Sequence, residues 1–186
     1  MNRLTSALLA AAASVALASG AAAQSALPLS FEVRAGAAIP TGDFAEGLST
    51  GYTVGANAMF NFTPMLGVYA GYTLNSFGFD DDTGLLDDDV SLNVRGFDAG
   101  LRATLASGGS FAPFVRGGIV SYKGELSSDD GSFSGDNEIG FEVGAGLDFP
   151  LGRQISVTPG VSFTSVDFDD DKVNFFRADV GLRFRL

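Results

Sequence analysis

Along most of the chain, apolar and polar residues change places at every second position. The C-terminal stretch is the strictest case. Phe176, Ala178, Val180, Leu182, Phe184 and Leu186 are apolar, and Arg177, Asp179, Gly181, Arg183 and Arg185 between them are charged or glycine. A period of two puts the two classes on opposite faces of a β-strand. The same rhythm runs through residues 52–62, 66–74, 139–149 and 155–163. Turn residues divide the pattern into eight segments, predicting strands near 29–39, 51–62, 66–76, 92–105, 111–123, 139–149, 154–166 and 174–186. In the fourth, parity breaks between Val94 and Phe97, which predicts a bulge near Arg95-Gly96.

The connections alternate in length. Residues 63–65, 106–110 and 150–153 are short, whereas 40–50, 77–91, 124–138 and 167–173 are longer and carry 17 of the 22 acidic residues. Segments of about ten alternating residues match a tilted membrane strand, and short periplasmic turns opposite long external loops are the asymmetry of an outer-membrane barrel. The predicted fold is all-β: an eight-stranded antiparallel up-and-down transmembrane β-barrel. A soluble barrel would also alternate, but with its apolar side chains inside. Two features favour the membrane orientation. The polar face is rich in glycine (Gly36, Gly55, Gly67, Gly71, Gly100, Gly118, Gly144, Gly146, Gly160 and Gly181), which wastes strand stability on a wetted surface but makes room inside a narrow barrel. The strand cations are nearly all Arg, suited to buried bidentate pairing; the only lysines, Lys123 and Lys172, lie at loop edges.

With the apolar face outward, the inner face carries Glu32, Arg34, Asp98, Arg102, Arg116, Glu142, Arg177, Asp179 and Arg183, four acids against five arginines. On closure the last strand meets the first, so Glu32 or Arg34 is expected to face Arg183 or Asp179. The expectation is an interior ionic network rather than independently solvated charges. An eight-stranded barrel is just wide enough for its own side chains, so such a core leaves no wide channel.

Composition adds limits. Asn2-Arg3, an apolar run from about Leu8 to Ala18 and the small residues Ala21-Ala22-Ala23 form a signal peptide over 1–23, leaving 24–186 as the barrel domain. The remainder lacks an apolar run long enough for a spanning helix. There is no Cys, His or Trp, and the net charge of −11 speaks against a nucleic-acid partner.

The whole mature chain resembles the small eight-stranded outer-membrane barrels of Gram-negative bacteria, the OmpA/OmpX-like and opacity-protein group. The C-terminus carries the resemblance furthest. Asp179, Gly181, Phe184 and Leu186 fill the positions of that group's β-signal, with Leu where many members have Phe. The stretch from Gly36 to Phe44, with its Pro-Thr-Gly-Asp-Phe turn, is similar to the first loop of these proteins. The resemblance implies residence in the outer membrane, contact with its lipid and lipopolysaccharide, and recognition by the barrel-assembly machinery. Its members include structural anchors, adhesins, surface antigens and small pores, so the fold alone does not select a task.

No catalytic, cofactor-binding or metal-binding residues are predicted. Barrel enzymes that this fold suggests depend on histidine, and a serine without a base is a poor nucleophile. Asp80, Asp82 and Gly84, or Asp167, Asp169 and Asp171, do not match a calcium-loop register; the acidic loops read as solvated, with weak divalent bridging to lipopolysaccharide as an intermediate hypothesis. Tyr52, Phe60, Phe62, Phe111, Phe149 and Phe184 fall near strand ends, as interfacial girdles do. The expected function is a monomeric, non-enzymatic barrel with a structural or surface-interaction role. The alternatives are a narrow cation-preferring pore and an adhesin or surface antigen acting through its acidic loops.

Overall fold

A computed structural model describes residues 28–45, 47–79, 91–105, 110–128, 131–168 and 171–186, apart from the side chains of 126–134, 168 and 171. The predicted signal peptide and the clusters Asp80-Asp81-Asp82, Asp87-Asp88-Asp89 and Asp169-Asp170 lie outside the described residues. Eight strands follow one another: β1 (Leu29–Thr41), β2 (Gly51–Asn61), β3 (Leu66–Gly78), β4 (Ser91–Thr104), β5 (Ala112–Ser128), β6 (Gly131–Pro150), β7 (Ile155–Phe168) and β8 (Asp171–Arg185). A single 3-10 turn, Gly42–Ala45, stands between β1 and β2. Each strand pairs antiparallel with its sequence neighbours, and β8 pairs with β1 to close the barrel. Closure removes every free edge within the wall, so backbone groups there find partners without water. Following the register once round the barrel from Ser30 leads back to β1 at Pro40, so the strands are strongly staggered.

Burial decides between the two orientations. Exposed side chains include Val54, Phe60, Phe97, Leu101, Ile119, Phe141, Val143, Val161, Val180 and Leu182, while Glu32, Arg34, Asp98, Arg102, Glu142, Arg177 and Arg183 are buried. A soluble barrel has the reverse arrangement. Tyr72 of β3 packs edge-on against Phe97 of β4, and Phe163 of β7 contacts both Phe141 and Phe176, two separate aromatic ridges on the outer wall above the short-turn end. Phe60–Phe62 and Phe111–Phe149 pair at the short-turn end. Of the predicted girdle residues, Tyr52 alone lies on the long-loop side; the two ridges belong to strand-interior aromatics instead.

Two expectations need correction. There is no bulge at Arg95-Gly96, because the registers of β4 with β3 and β5 run unbroken through both residues. Val94 is an inward apolar residue, 1 % exposed, and Phe97 an outward one, 70 % exposed, so their odd spacing is the normal alternation. The only register shift between β5 and β6 falls between Lys123 and Glu125. Residues 124–138 and 167–173 are also not simple loops: β5 pairs with β6 as far as Ser128↔Gly131, and β7 with β8 as far as Phe168↔Asp171.

Inward glycines let the strands coil tightly. Gly96 lies across from Tyr122 and Thr73, and a Cβ there would press on Ser121 carbonyl carbon and Tyr122 Cα, both at 3.0 Å. Gly117 has room, its nearest neighbours being Glu142 carbonyl oxygen at 3.7 Å and Val143 Cγ1 at 3.9 Å. Gly96→Val is therefore expected to cost about 2 kcal/mol or more, and Gly117→Ala to stay within about 0.5 kcal/mol of the parent. Urea unfolding, followed by the mobility of unboiled protein on gels, checks both values.

Candidate functional site: the charged interior and its apolar cap

At the short-turn end, four side chains from four strands form a doubly bridged quartet. Glu32 on β1 faces Arg183 on β8 in register. Arg183 donates from Nε and Nη2 to Glu32 Oε2, both at 3.3 Å, and from Nη1 to Asp148 Oδ2 at 2.7 Å. Arg102 donates from Nη1 to Glu32 Oε2 at 3.3 Å and from Nη2 to Asp148 Oδ2 at 2.9 Å. Each guanidinium thus holds both carboxylates, using the fork geometry that lysine lacks. Thr158 Oγ1 also donates to Glu32, and the Phe114 ring lies against the Arg102 guanidinium, 3.4 Å from ring centroid to Cζ.

Two further groups lie nearer the middle. Arg34 Nη2 reaches Asp98 Oδ2 at 3.3 Å and Thr73 Oγ1 at 3.1 Å, and Thr73 donates to the other Asp98 oxygen at 2.9 Å. Glu142 lies between Arg116, whose Nε is 3.1 Å from its Oε1, and Arg177, which it contacts directly. Arg177 Nε donates to Ser162 Oγ at 3.1 Å and Nη1 to Tyr122 OH at 3.4 Å. Asp179 is turned inward and buried, flanked in register by Gly36 and Gly160, and has no ion pair within 4 Å among the described residues.

All nine interior charges read from the sequence thus project into the barrel; eight are ion-paired there and Asp179 stands apart. Strand order left open whether Glu32 or Arg34 meets Arg183 or Asp179; Glu32 meets Arg183, whereas Arg34 of β1 meets Asp98 of β4 across the lumen. Asp148 was missed. It shares parity with Glu142 on β6, a signal the alternation does contain, but it sits close to the turn at the strand end. With Asp148 the buried inward acids number five, Glu32, Asp98, Glu142, Asp148 and Asp179, against five ion-paired inward arginines, and half-buried Arg185 shares their parity at the strand end.

Toward the long-loop end the interior turns apolar. Ala38, Leu48, Phe77, Val94, Val120, Tyr122, Val166, Val173 and Phe175 form one buried cluster, with Phe44, Phe79 and Leu92 packed against it. Phe77 makes edge contacts with Phe44 at 5.3 Å and Phe175 at 5.5 Å between ring centroids. The 3-10 turn thereby folds its Phe44 into the mouth. The bridge Leu48↔Phe79 and the bond from Ser49 N to the Gly78 carbonyl oxygen tie the same connection to β3. These aromatics pack on one another as a core. The charged interior expected from the sequence fills the lower part of the barrel, and an apolar cap that the sequence reading did not include fills the upper part.

No group of three or more potential ligands suited to a metal ion occurs among the described residues. Asp179, Gly181, Phe184 and Leu186 lie on or just beyond the closing strand, Asp179 and Gly181 inward, Phe184 and Leu186 on the outer parity. A Cβ on Gly181 would meet Thr158 Oγ1 and lie 3.2 Å from Glu32 Cγ and Cδ, so the glycine makes space for the quartet.

Comparison with known proteins agrees with this geometry. The family model described as outer membrane protein beta-barrel domain matches residues 8–184. The crystal structure of Neisserial surface protein A (NspA) superposes with a TM-score of 0.71 at 12 % identity, covering 88 % of this chain and 100 % of that one. The N-terminal β-barrel domain of Pseudomonas aeruginosa OprF gives 0.56 at 16 % identity, covering 84 % and 97 %. Ail, the attachment invasion locus protein of Yersinia pestis, gives 0.53 at 19 % identity with the same coverage. No curated protein sequence matches the chain.

The quartet and the surface pair Arg95–Glu125, whose side chains are 41 % and 19 % exposed, should differ sharply in energy. Asp148→Ala leaves two buried guanidiniums sharing one carboxylate, Glu32, and is expected to cost about 3 kcal/mol or more. Glu125→Ala should cost about 1 kcal/mol or less. Arg102→Ala added to Asp148→Ala should cost less than the sum of the two single changes, which a double-mutant cycle of urea midpoints measures.

Proposed function

Since the chain belongs to the family of outer-membrane protein β-barrel domains, and is thus a protein of the outer membrane, we propose that it acts as a closed structural barrel whose external rim meets other surfaces, and that it neither conducts ions nor catalyses a reaction. The observation that carries this reading is the stacking of two different fillings along one narrow lumen. The paired ionic groups occupy the short-turn part, and the apolar cluster around Phe77 and Phe175 occupies the long-loop part. An ion entering from outside would have to shed its water against aromatic rings before reaching the ionic groups, and hydrophobic constrictions block conduction in this way. The arginines paired with the lower carboxylates also offset the fixed negative charge that a cation-preferring pore would need. No His or Cys stands beside any interior carboxylate or hydroxyl, since the chain has neither residue.

The outward apolar belt and its aromatic ridges suit direct contact with membrane lipid and lipopolysaccharide, and a monomer already satisfies every wall strand. The four residues Asp179, Gly181, Phe184 and Leu186 serve in this reading as the signal for the barrel-assembly machinery. Planar bilayers holding the purified protein should stay silent; steady unit conductance steps would sink the closed-barrel reading. Phe184→Ala should slow the appearance of the folded band in cell envelopes several-fold, while protein refolded in detergent unfolds within about 1 kcal/mol of the parent. Unchanged assembly kinetics would remove Phe184 from the signal.

A further inference from the structure

The wall strands pair all round the barrel, with one exception. Between β6 and β7 the pairing runs from Gly140↔Val166 to Gly146↔Gly160, stops, and resumes at Phe149↔Val157 in the same register. Leu147 and Asp148 of β6 thus stand opposite Pro159 and Thr158 of β7 without a ladder pair. Pro159 supplies the cause, because it has no N–H and a proline within a sheet removes a rung. In a membrane wall no water replaces the lost bond.

The wall is also thin at this place. Outside, a hollow of about 450 Å³ lies over the gap, lined among others by Ala35, Ala145, Pro159 and Ala178. Inside, Gly146 and Gly160 have no side chains, and the buried Phe114 ring of β5 lies over both. A Cβ on Gly146 would come within 2.5 Å of Phe114 Cζ, and one on Gly160 would lie 3.7 Å from the same atom. Main chain and one ring therefore separate the hollow from the lumen.

Phe114 is pinned in turn. The Arg102 guanidinium stands 3.4 Å from its ring centroid, well within cation–π range, and Arg102 is fixed by Glu32 and Asp148. The two inward residues at the gap belong to the same group of contacts. Asp148 accepts from Arg102 and Arg183, and Thr158 donates to Glu32. Side-chain contacts thus gather where the main-chain ladder lacks a bond.

We propose that the β6–β7 seam at Leu147–Asp148 and Thr158–Pro159 is a clasped joint in the wall. Phe114, pinned by Arg102, holds it shut from inside; when the ring is released, the two strands part here first while the other seams stay paired. The inference goes beyond the closed-barrel function and concerns what keeps the barrel closed. Conductance tests that function, and the following experiment tests the joint.

Amide hydrogen exchange is measured on the full barrel in detergent micelles, comparing residues 147–149 with residues 56–58 of the intact β2–β3 seam. Phe114→Ala should speed exchange at 147–149 about ten-fold and leave 56–58 within about two-fold of the parent, with the gel mobility of the folded barrel retained. Pro159→Val supplies the missing N–H and, by itself, should slow exchange at 147–149 about ten-fold. That second variant decides the matter even where Phe114→Ala fails to fold. Equal acceleration of both seams by Phe114→Ala would mean general loosening of the barrel and would overturn the proposal. Unchanged exchange at 147–149 in Pro159→Val would overturn it as well.

Discussion

Arg102 and Arg183 each hold both Glu32 and Asp148, and this double bridge draws β1, β4, β6 and β8 together near one end of the barrel. Charges taken out of water are costly, and only close, bidentate geometry with every partner in place offsets the loss. Four strands far apart in sequence must therefore close in one register before any of the four charges is satisfied. The quartet makes correct closure and electrostatic satisfaction the same event. The membrane outside enforces it: a strand slipped by one residue would present its charges to hydrocarbon and its Phe and Val to the lumen.

The filled lumen also explains much of the glycine content. Several long inward side chains have a glycine beside them on a neighbouring strand. Arg34 is flanked in register by Gly55 and Gly181, Asp179 by Gly36 and Gly160, and Tyr69 faces Gly100. Gly181 shows two constraints meeting at one position. It belongs to the proposed assembly signal, and its missing Cβ is the space in which Thr158 and Glu32 approach each other.

The lumen changes character along its length. Arg177 reaches Tyr122 OH at the boundary between the ionic groups and the apolar cap, so one ring belongs to both. Below it, side chains are held by directional charge-assisted bonds; above it, by contact area, with Phe44 packed in from the first connection. Such a division suits a membrane protein that shows its outer end to water. The cap excludes solvent from charges whose attraction is stronger in a dry interior.

Much of this was legible in the chain. Alternation marked all eight strands, with most ends within a few residues but the hairpin of β5 and β6 too short, and with the glycine and arginine content it pointed to the inward face. This worked because a membrane strand has one permitted polarity on each side, so parity carries three-dimensional meaning. The extra reach of the β5–β6 hairpin was not legible, since Gly, Ser and Asp there suit a loop as well as an edge strand, and pairing with β4 and β5 decided the matter. Val94 and Phe97 misled because parity was judged by apolarity alone, and the lumen has an apolar end. Asp148 carries the inward parity of Glu142 and was legible in principle, whereas the Arg34–Asp98 contact lay beyond reach for a different reason. Sequence by itself determined which face of each strand is buried, because that depends on a local period of two. Which charge meets which was decided only by tertiary structure, because the stagger of closed strands sets what levels across the lumen coincide.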